Sequence, residues 1–228
     1  MLCIWFGPEK SYISGSNCTS GVNIISKLYR HRFNNTYLFF PRYNMSEIVS
    51  VSGGPTKPEI IAVSLSKLGL QDGDRFADVG CGTGSVSIEA SRIARNLTIY
   101  AIDARKEALF ATEANFNSFG IENARVLAGE ASELLGSGGP IDLIDCAFVG
   151  GTKNIDTILE KLVEKKTRSI VVNAVRIETV VRTIEAMKRL GIFDEVVHIA
   201  VSRSAPIAGE TMFKPENPVY IVVGKKQA

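Results

Sequence analysis

The chain has 228 residues, 45% of them apolar, and a formal net charge of +2. That length suits one α/β domain with an appendage, and the apolar fraction is ample for a buried sheet core. Acids and bases are interspersed, so composition gives no global signal for a nucleic-acid or membrane partner. No apolar run approaches the roughly 18 residues of a membrane span.

Residues 1–44 mix Gly, Ser, Asn, Tyr and Phe without period, and Arg30, His31, Arg32 and Arg42 add a basic tint. The apolar stretch from Leu2 to Phe6 is short and has no preceding positive charge, so it does not read as a secretory signal. The sequons beginning at Asn17, Asn34 and Asn44 are then chance matches. We expect residues 1–44 to be an irregular, poorly ordered extension or a product of start-site choice, with the functional domain over 45–228. A basic arm for an anionic partner is the rival reading. The four cysteines (Cys3, Cys18, Cys81, Cys146) show no CxxC or metal-ligand spacing. Cys81 falls in a glycine turn and Cys146 in an apolar strand, which implies a reducing, cytoplasmic setting and no metal site.

The turn Gly53-Gly54-Pro55-Thr56-Lys57-Pro58 opens a helix whose apolar face is Ile60, Ile61, Val63, Leu65, Leu68 and Leu70. Thr56 is expected to cap it, with Pro58 in the first turn where a missing N–H is harmless. Next comes Phe76-Ala77-Asp78-Val79-Gly80-Cys81-Gly82-Thr83-Gly84. An apolar strand passes into three alternating glycines and then a helix with Val86, Ile88, Ala90 and Ile93 as candidate buried positions. Strand, glycine turn and helix form the nucleotide-facing corner of a parallel α/β sheet.

The spacing departs from GxGxxG, because Ser85 holds the third glycine position and Gly84 comes one residue early. The strand also contains Asp78, which would repel a pyrophosphate but suits a cationic, donor-rich ligand end. Roughly twenty residues on, the strand over 97–102 leads to Asp103, an acid placed to accept both ribose hydroxyls. The acids, the turn and their spacing resemble the class I S-adenosylmethionine-dependent methyltransferases.

Alternating elements follow: a helix over 105–119 stopped by Gly120, a strand over 124–128 and the turn Gly129-Glu130-Ala131. A short helix and a Gly-rich turn over 136–140 precede a strand over 141–149. Then come a helix over 154–165, a strand over 169–174 and a helix over 178–190. Strands over 195–202 and 218–223 close the chain without a helix between them, so they are expected to pair antiparallel at one edge. The fold class is therefore α/β, a Rossmann-like seven-stranded sheet, mostly parallel with an antiparallel C-terminal edge strand.

Four strand ends converge where ligands bind in such sheets: 78–84, Asp103, 129–131 and Phe148-Val149-Gly150-Gly151-Thr152. Glu130 and the backbone of Ala131 can meet an adenine edge, or Glu130 can simply cap a helix. Phe-Val-Gly-Gly replaces the Asn/Asp-Pro-Pro-aromatic tetrad that grips exocyclic amines, which argues against a DNA nitrogen as acceptor. His198, in a mid-strand run, reads as a sheet-face residue. The stretch Arg203 to Lys214 reads as a loop long enough to be a substrate lid.

Over residues 53–223 the sequence resembles the archaeal decarboxylating cobalt-precorrin-6B methyltransferases, which methylate carbon 15 of the macrocycle in anaerobic cobalamin synthesis. The resemblance rests on Gly54-Pro55-Thr56, the 78–84 motif, Ala101-Ile102-Asp103, Glu130-Ala131, 148–152 and Arg203…Gly209-Glu210-Thr211-Met212. It implies that Thr56, Asp78, Gly80, Cys81, Gly82, Thr83, Gly84, Asp103, Glu130 and Ala131 contact S-adenosylmethionine. It implies an acceptor site at Lys57, Gly150, Gly151, Thr152, Arg203 and Met212, with Lys153 and Arg176 as further rim cations for a polycarboxylate. It also implies a homo-oligomer, a tetramer, with no nucleic-acid or membrane partner. A tRNA adenosine methyltransferase with the same core and a non-catalytic nucleotide-binding scaffold are the alternatives.

Overall fold

The computed structural model describes residues 48–226, Gly53 excepted, so the extension expected over 1–44 lies outside the described residues. The elements are α1 (Pro58–Leu68), β1 (Arg75–Val79), α2 (Ser85–Ile93), β2 (Thr98–Asp103), α3 (Lys106–Phe119), β3 (Ala124–Ala128), α4 (Ala131–Leu134) and β4 (Cys146–Val149). They continue as α5 (Ile155–Glu164), β5 (Ser169–Ala174), α6 (Ile177–Arg189), β6 (Phe193–Ile199), β7 (Ser202–Ile207), β8 (Glu210–Pro215) and β9 (Val219–Lys225).

Seven strands form one sheet in the order β3-β2-β1-β4-β5-β9-β6. The pairs among β3, β2, β1, β4 and β5 are parallel, and β9 runs antiparallel to both β5 and β6. The mostly parallel sheet with its reversed side is as the strand–helix alternation predicts. Within it the C-terminal strand sits one position in, so β6 is the outermost strand there.

Alternation along each strand fills two apolar layers. Phe76, Ile99, Ala101, Phe148, Val171 and Ile221 pack with α1, α2 and α3, around Leu65, Ile88 and Phe116. Ala77, Val79, Ile102, Val149, Val172 and Val222 pack with α5 and α6, around Leu159, Leu162 and Met187. The result is helices on both faces of a sheet whose central strands are buried, with β3 and β6 partly exposed at its edges.

Four local expectations are corrected. Lys57, not Thr56, occupies the N-cap of α1, and no side chain caps that end. Ile93 is half exposed, because the last turn of α2 runs past the edge of its layer. The strand over 141–149 shrinks to β4, since 141–145 is irregular chain anchored by Ile141 and Ile144 in the core. The stretch over 203–214 is a hairpin, not a loop: β7 and β8 pair across Ala208-Gly209. Both turn residues have positive φ, +47° and +85°, the backbone that a two-residue hairpin turn demands.

The sheet's carboxyl edge is stitched together by backbone. The Val79 carbonyl accepts from the amides of Gly150 (2.8 Å) and Gly151 (3.0 Å), and Ile102 O accepts from Gly80 (2.8 Å) and Cys81 (3.0 Å). Gly80 has φ +76°, and a Cβ there would lie 2.4 Å from the Gly151 nitrogen. Gly80→Ala should therefore cost more than about 3 kcal/mol, from left-handed strain plus overlap with a backbone that cannot yield. Gly73→Ala, at φ +84° with open space around it, carries the strain alone and should cost roughly 1 kcal/mol. Urea denaturation of both variants checks this, and equal losses would show that the β1–β4 contact is not tight.

Candidate active site

The glycine turn is held from behind by helices. Gly84, at φ +74°, starts α2, and its amide closes the turn onto the Cys81 carbonyl at 2.8 Å. From α3, Thr112 Oγ1 donates to Gly82 O (3.0 Å) and Asn115 Nδ2 to Thr83 O (2.8 Å). Both side chains are fully buried. A glycine loop has no side chains of its own to fix it, so these two polar residues on an apolar helix face set its shape.

Asp78 is fully buried at the C-terminal end of β1. Its Oδ2 accepts from Ser87 Oγ on α2 at 2.7 Å, and its Oδ1 is buried without a hydrogen-bond partner. Desolvation pushes its carboxyl up to about 6, against the lowering effect of Ser87. A buried, half-satisfied carboxylate is costly unless a donor or a positive group meets it. Thr83 Oγ1 is likewise buried and unpartnered.

Asp103, at the end of β2, is also buried. The guanidinium of Arg105 grips it as a fork (Nε to Oδ1 3.1 Å, Nη2 to Oδ2 3.0 Å), and the amides of Arg105 (3.0 Å) and Gly82 (3.1 Å) complete four bonds. Burial raises its carboxyl, but these donors outweigh it and hold it below the usual carboxylate range. The Asp103 charge in turn helps to raise Asp78, so the two acids feel each other across the turn. The Cys81 thiol between them is buried and pushed up, an inert group whose Sγ lies 3.3 Å from Thr112 Oγ1.

Beside this corner opens a cavity of about 1040 Å³. Thr56, Lys57, Gly150, Thr152, Arg176 and Arg203 all line it, with Phe148, Asn173 and Val219 among the other lining residues. Gly151 packs on Gly80 instead, and Met212 sits half-exposed on β8 away from the lining. The expected cations are largely neutralised. Arg203 bonds Glu216 (2.6 Å) and both oxygens of Glu59 (3.0 and 2.9 Å), while Lys57 meets Asn217 O (2.6 Å) and Glu216 (3.3 Å). Lys153 pairs with Glu130 at 2.7 Å, so that acid is engaged by a cation in addition to its place before α4, where Ala131 begins the helix. Arg176 is the cavity's cation whose side chain makes no hydrogen bond or ion pair among the described residues.

Sequence reasoning missed Ser87, Arg105, Thr112, Asn115 and Asn173. Polar residues on the buried faces of α2 and α3 were the available signal, since an apolar face tolerates them only when they are bonded. His198 behaves as expected, stacked on Tyr220 across β6–β9 with ring centroids 4.5 Å apart. Asp145, just before β4, accepts a fork from the Arg75 guanidinium at the opposite end of the sheet.

A family model for the precorrin methyltransferase domain matches residues 48–226. A protein of Methanosarcina acetivorans named probable cobalt-precorrin-6B C(15)-methyltransferase (decarboxylating) is 96% identical over 184 residues, 81% of this chain and all of the relative. The crystal structure of a precorrin 8W decarboxylase from Methanobacterium thermoautotrophicum superposes with a TM-score of 0.72 at 30% identity, covering 79% of this chain and 98% of that one. A precorrin-6Y C5,15-methyltransferase from Geobacter metallireducens gives 0.71 at 30% identity, covering 81% and 100%.

The raised Asp78 sets a pH dependence. Its folded pKa lies above the unfolded value, so the fold is most stable with respect to this group below about pH 4 and loses that contribution as pH rises through about 6. The loss is roughly 3 kcal/mol. Asp78→Asn should therefore stabilise the ligand-free protein at pH 7. It should also weaken binding of a cationic donor and abolish the fall in donor affinity expected of wild type below pH 6. Thermal melts and calorimetry with S-adenosylmethionine check both arms, and a pH-independent wild-type affinity would contradict them.

Proposed function

The chain belongs to the precorrin methyltransferase family, and from that membership we propose that it transfers a methyl group from S-adenosylmethionine to carbon 15 of cobalt-precorrin-6B. Decarboxylation of an acetate side chain accompanies the transfer, in anaerobic cobalamin synthesis. The observation that supports this best is the pairing of a polar glycine corner, carrying a buried half-satisfied carboxylate, with a wide cavity reached across Gly150.

The residues fit the methyl donor. The orphaned Oδ1 of Asp78 needs a positive or donor group, and Cβ atoms at Gly80 and Gly84 would run into Gly151 and Phe116, so the turn keeps a bare backbone there. When bound, S-adenosylmethionine supplies an electrophilic methyl group on a sulfonium. On this reading Asp78 faces the amino-acid end, and the backbone of Gly80, Cys81, Gly82, Thr83 and Gly84 lies along it. Asp103 takes the ribose hydroxyls, and Glu130 and Ala131 border the adenine. Asp103 has four donors already, so Arg105, exposed on a flexible stem, yields its place to the ribose.

Lys57, Gly150, Thr152 and Arg203 form the acceptor walls, with Thr56, expected at the methyl donor, lining the same cavity, Gly151 behind it and Met212 on the hairpin outside the lining. The chain's contribution is positional, because an in-line displacement asks for alignment at about 3–3.5 Å more than for acid–base chemistry. The tRNA alternative lacks a basic stripe at the site, where Lys57, Lys153 and Arg203 are all paired with acids. A cytoplasmic setting is supported by the buried free thiols Cys81 and Cys146. Assembly as a homo-oligomer is supported by the apolar side chains of Ile207 and Phe213 exposed on the hairpin.

Incubation with cobalt-precorrin-6B and S-adenosylmethionine should yield a product that has gained a methyl group and lost carbon dioxide, read by mass spectrometry. Methyl gain on tRNA instead would overturn the reading. Asp103→Ala should weaken S-adenosylhomocysteine binding by roughly 1–3 kcal/mol through lost charge-assisted hydrogen bonds. Unchanged affinity would place the ribose elsewhere.

A further inference from the structure

Among the polar groups lining the cavity, one is unexplained by its fold. Asn173 lies on β5, and its side chain borders the cavity beside Phe148, Ala174, Val175 and Val219. Ser64, fully buried on α1, donates its Oγ hydrogen to Asn173 Oδ1 at 3.1 Å. That bond fixes which way the amide faces, and leaves Nδ2 buried with no hydrogen-bond partner. Buried amide donors are rarely left unmade, because each orphan carries a desolvation penalty. The pair Ser64–Asn173 therefore holds one oriented, neutral donor, shielded from solvent, in the cavity wall at a point lined by apolar side chains.

Three residues along, Arg176 also borders the cavity but is exposed, and it makes no ion pair among the described residues. The cavity thus offers an anion two different environments. At Arg176 a carboxylate keeps its water and gains a charge partner. At Asn173 it is stripped of water among apolar side chains and held by a donor without formal charge. The first environment stabilises a carboxylate. The second orients one while leaving its charge poorly solvated, the condition that favours loss of carbon dioxide.

Resting on the function proposed above, we propose that Asn173, oriented by Ser64, binds the carboxylate of the acetate arm that is lost, while Arg176 binds a carboxylate that is kept. In that step the bond between the methylene carbon and the carboxylate carbon breaks. Its electron pair passes into the conjugated macrocycle, carbon dioxide departs, and a proton from water returns to the methylene carbon to complete a methyl group. Asn173 contacts the substrate, and Ser64 acts only as a positioning residue.

The test uses cobalt-precorrin-6B and S-adenosylmethionine with wild type, Asn173→Leu, Ser64→Ala and Arg176→Ala, with products resolved by mass spectrometry. Leucine keeps the bulk of Asn173 and removes the donor. Asn173→Leu should raise the ratio of methylated, carboxyl-retaining product to decarboxylated product by about tenfold or more, the effect of one lost hydrogen bond to a charged group. Its affinity for S-adenosylhomocysteine should stay at the wild-type value. Ser64→Ala should move the ratio in the same direction by less, and Arg176→Ala should raise KM for the macrocycle with the ratio unchanged. An unchanged product ratio in Asn173→Leu overturns the assignment. If that variant fails to bind S-adenosylhomocysteine and is thus misfolded, Ser64→Ala decides by the same ratio. Wild type that methylates nothing contradicts the proposed function itself, a result distinct from wild-type turnover with an unmoved ratio.

Discussion

Everything at the site depends on one close backbone contact, the approach of Gly80 to Gly150 and Gly151. Val79 O takes two amides from the β4 end, and the space a Cβ would need at Gly80 is already filled by the Gly151 nitrogen. Two neighbouring parallel strands therefore end against each other with no side chain between them. On the function proposed above, the glycine corner for the methyl donor and the cavity for its acceptor share a wall one backbone thick. A displacement reaction needs its two partners almost in contact, and any side chain in that wall would hold them apart.

A wall of bare backbone is floppy unless something outside it is rigid, since glycine has the most conformational freedom to lose. The rigidity comes from buried polar side chains on two helices. Thr112 and Asn115 on α3 bond the carbonyls of Gly82 and Thr83, and Ser87 on α2 bonds Asp78. Each is surrounded by apolar neighbours, so each bond is strong in a poorly screened setting and expensive to leave unmade. Asp78 illustrates the trade. Its burial destabilises the ligand-free fold at neutral pH, and the same burial makes its free oxygen a strong partner for a cationic ligand.

The parts of this arrangement that the sequence displays are those built from contiguous chain. The turn from Asp78 to Gly84, the acid ending the next strand at Asp103 and the strand–helix rhythm are read from one continuous stretch, and local backbone rules govern them. The parts it hides depend on partners far along the chain. Arg105 is adjacent to Asp103, yet nothing local says it will fold back over the carboxylate rather than reach into solvent. Ser64 and Asn173 are 109 residues apart, and Arg203 and Glu59 are 144 apart. The hairpin of β7 and β8 escaped notice for a different reason. All but Ala205 of its strand residues are exposed, so it shows no apolar alternation, and Pro206 suggests a break where the fold tolerates it.

The paired cations at the cavity mouth bear on how a polycarboxylate could be admitted. Arg203 joins β7 to α1 through Glu59 and to the segment after β8 through Glu216, which also meets Lys57. Four charges of both signs thus tie the base of the hairpin to the start of the first helix. Each pair is partly exposed and individually worth little, but together they fix the outline of the mouth. They also remove two positive charges that a substrate carboxylate would otherwise seek. Taking Arg203 for substrate would strand Glu59 and Glu216 beside an incoming anion, an arrangement of like charges that the geometry disfavours. The mouth therefore selects by shape, and the attraction for anions falls to the exposed, unpaired Arg176 and to neutral donors such as the Asn173 amide.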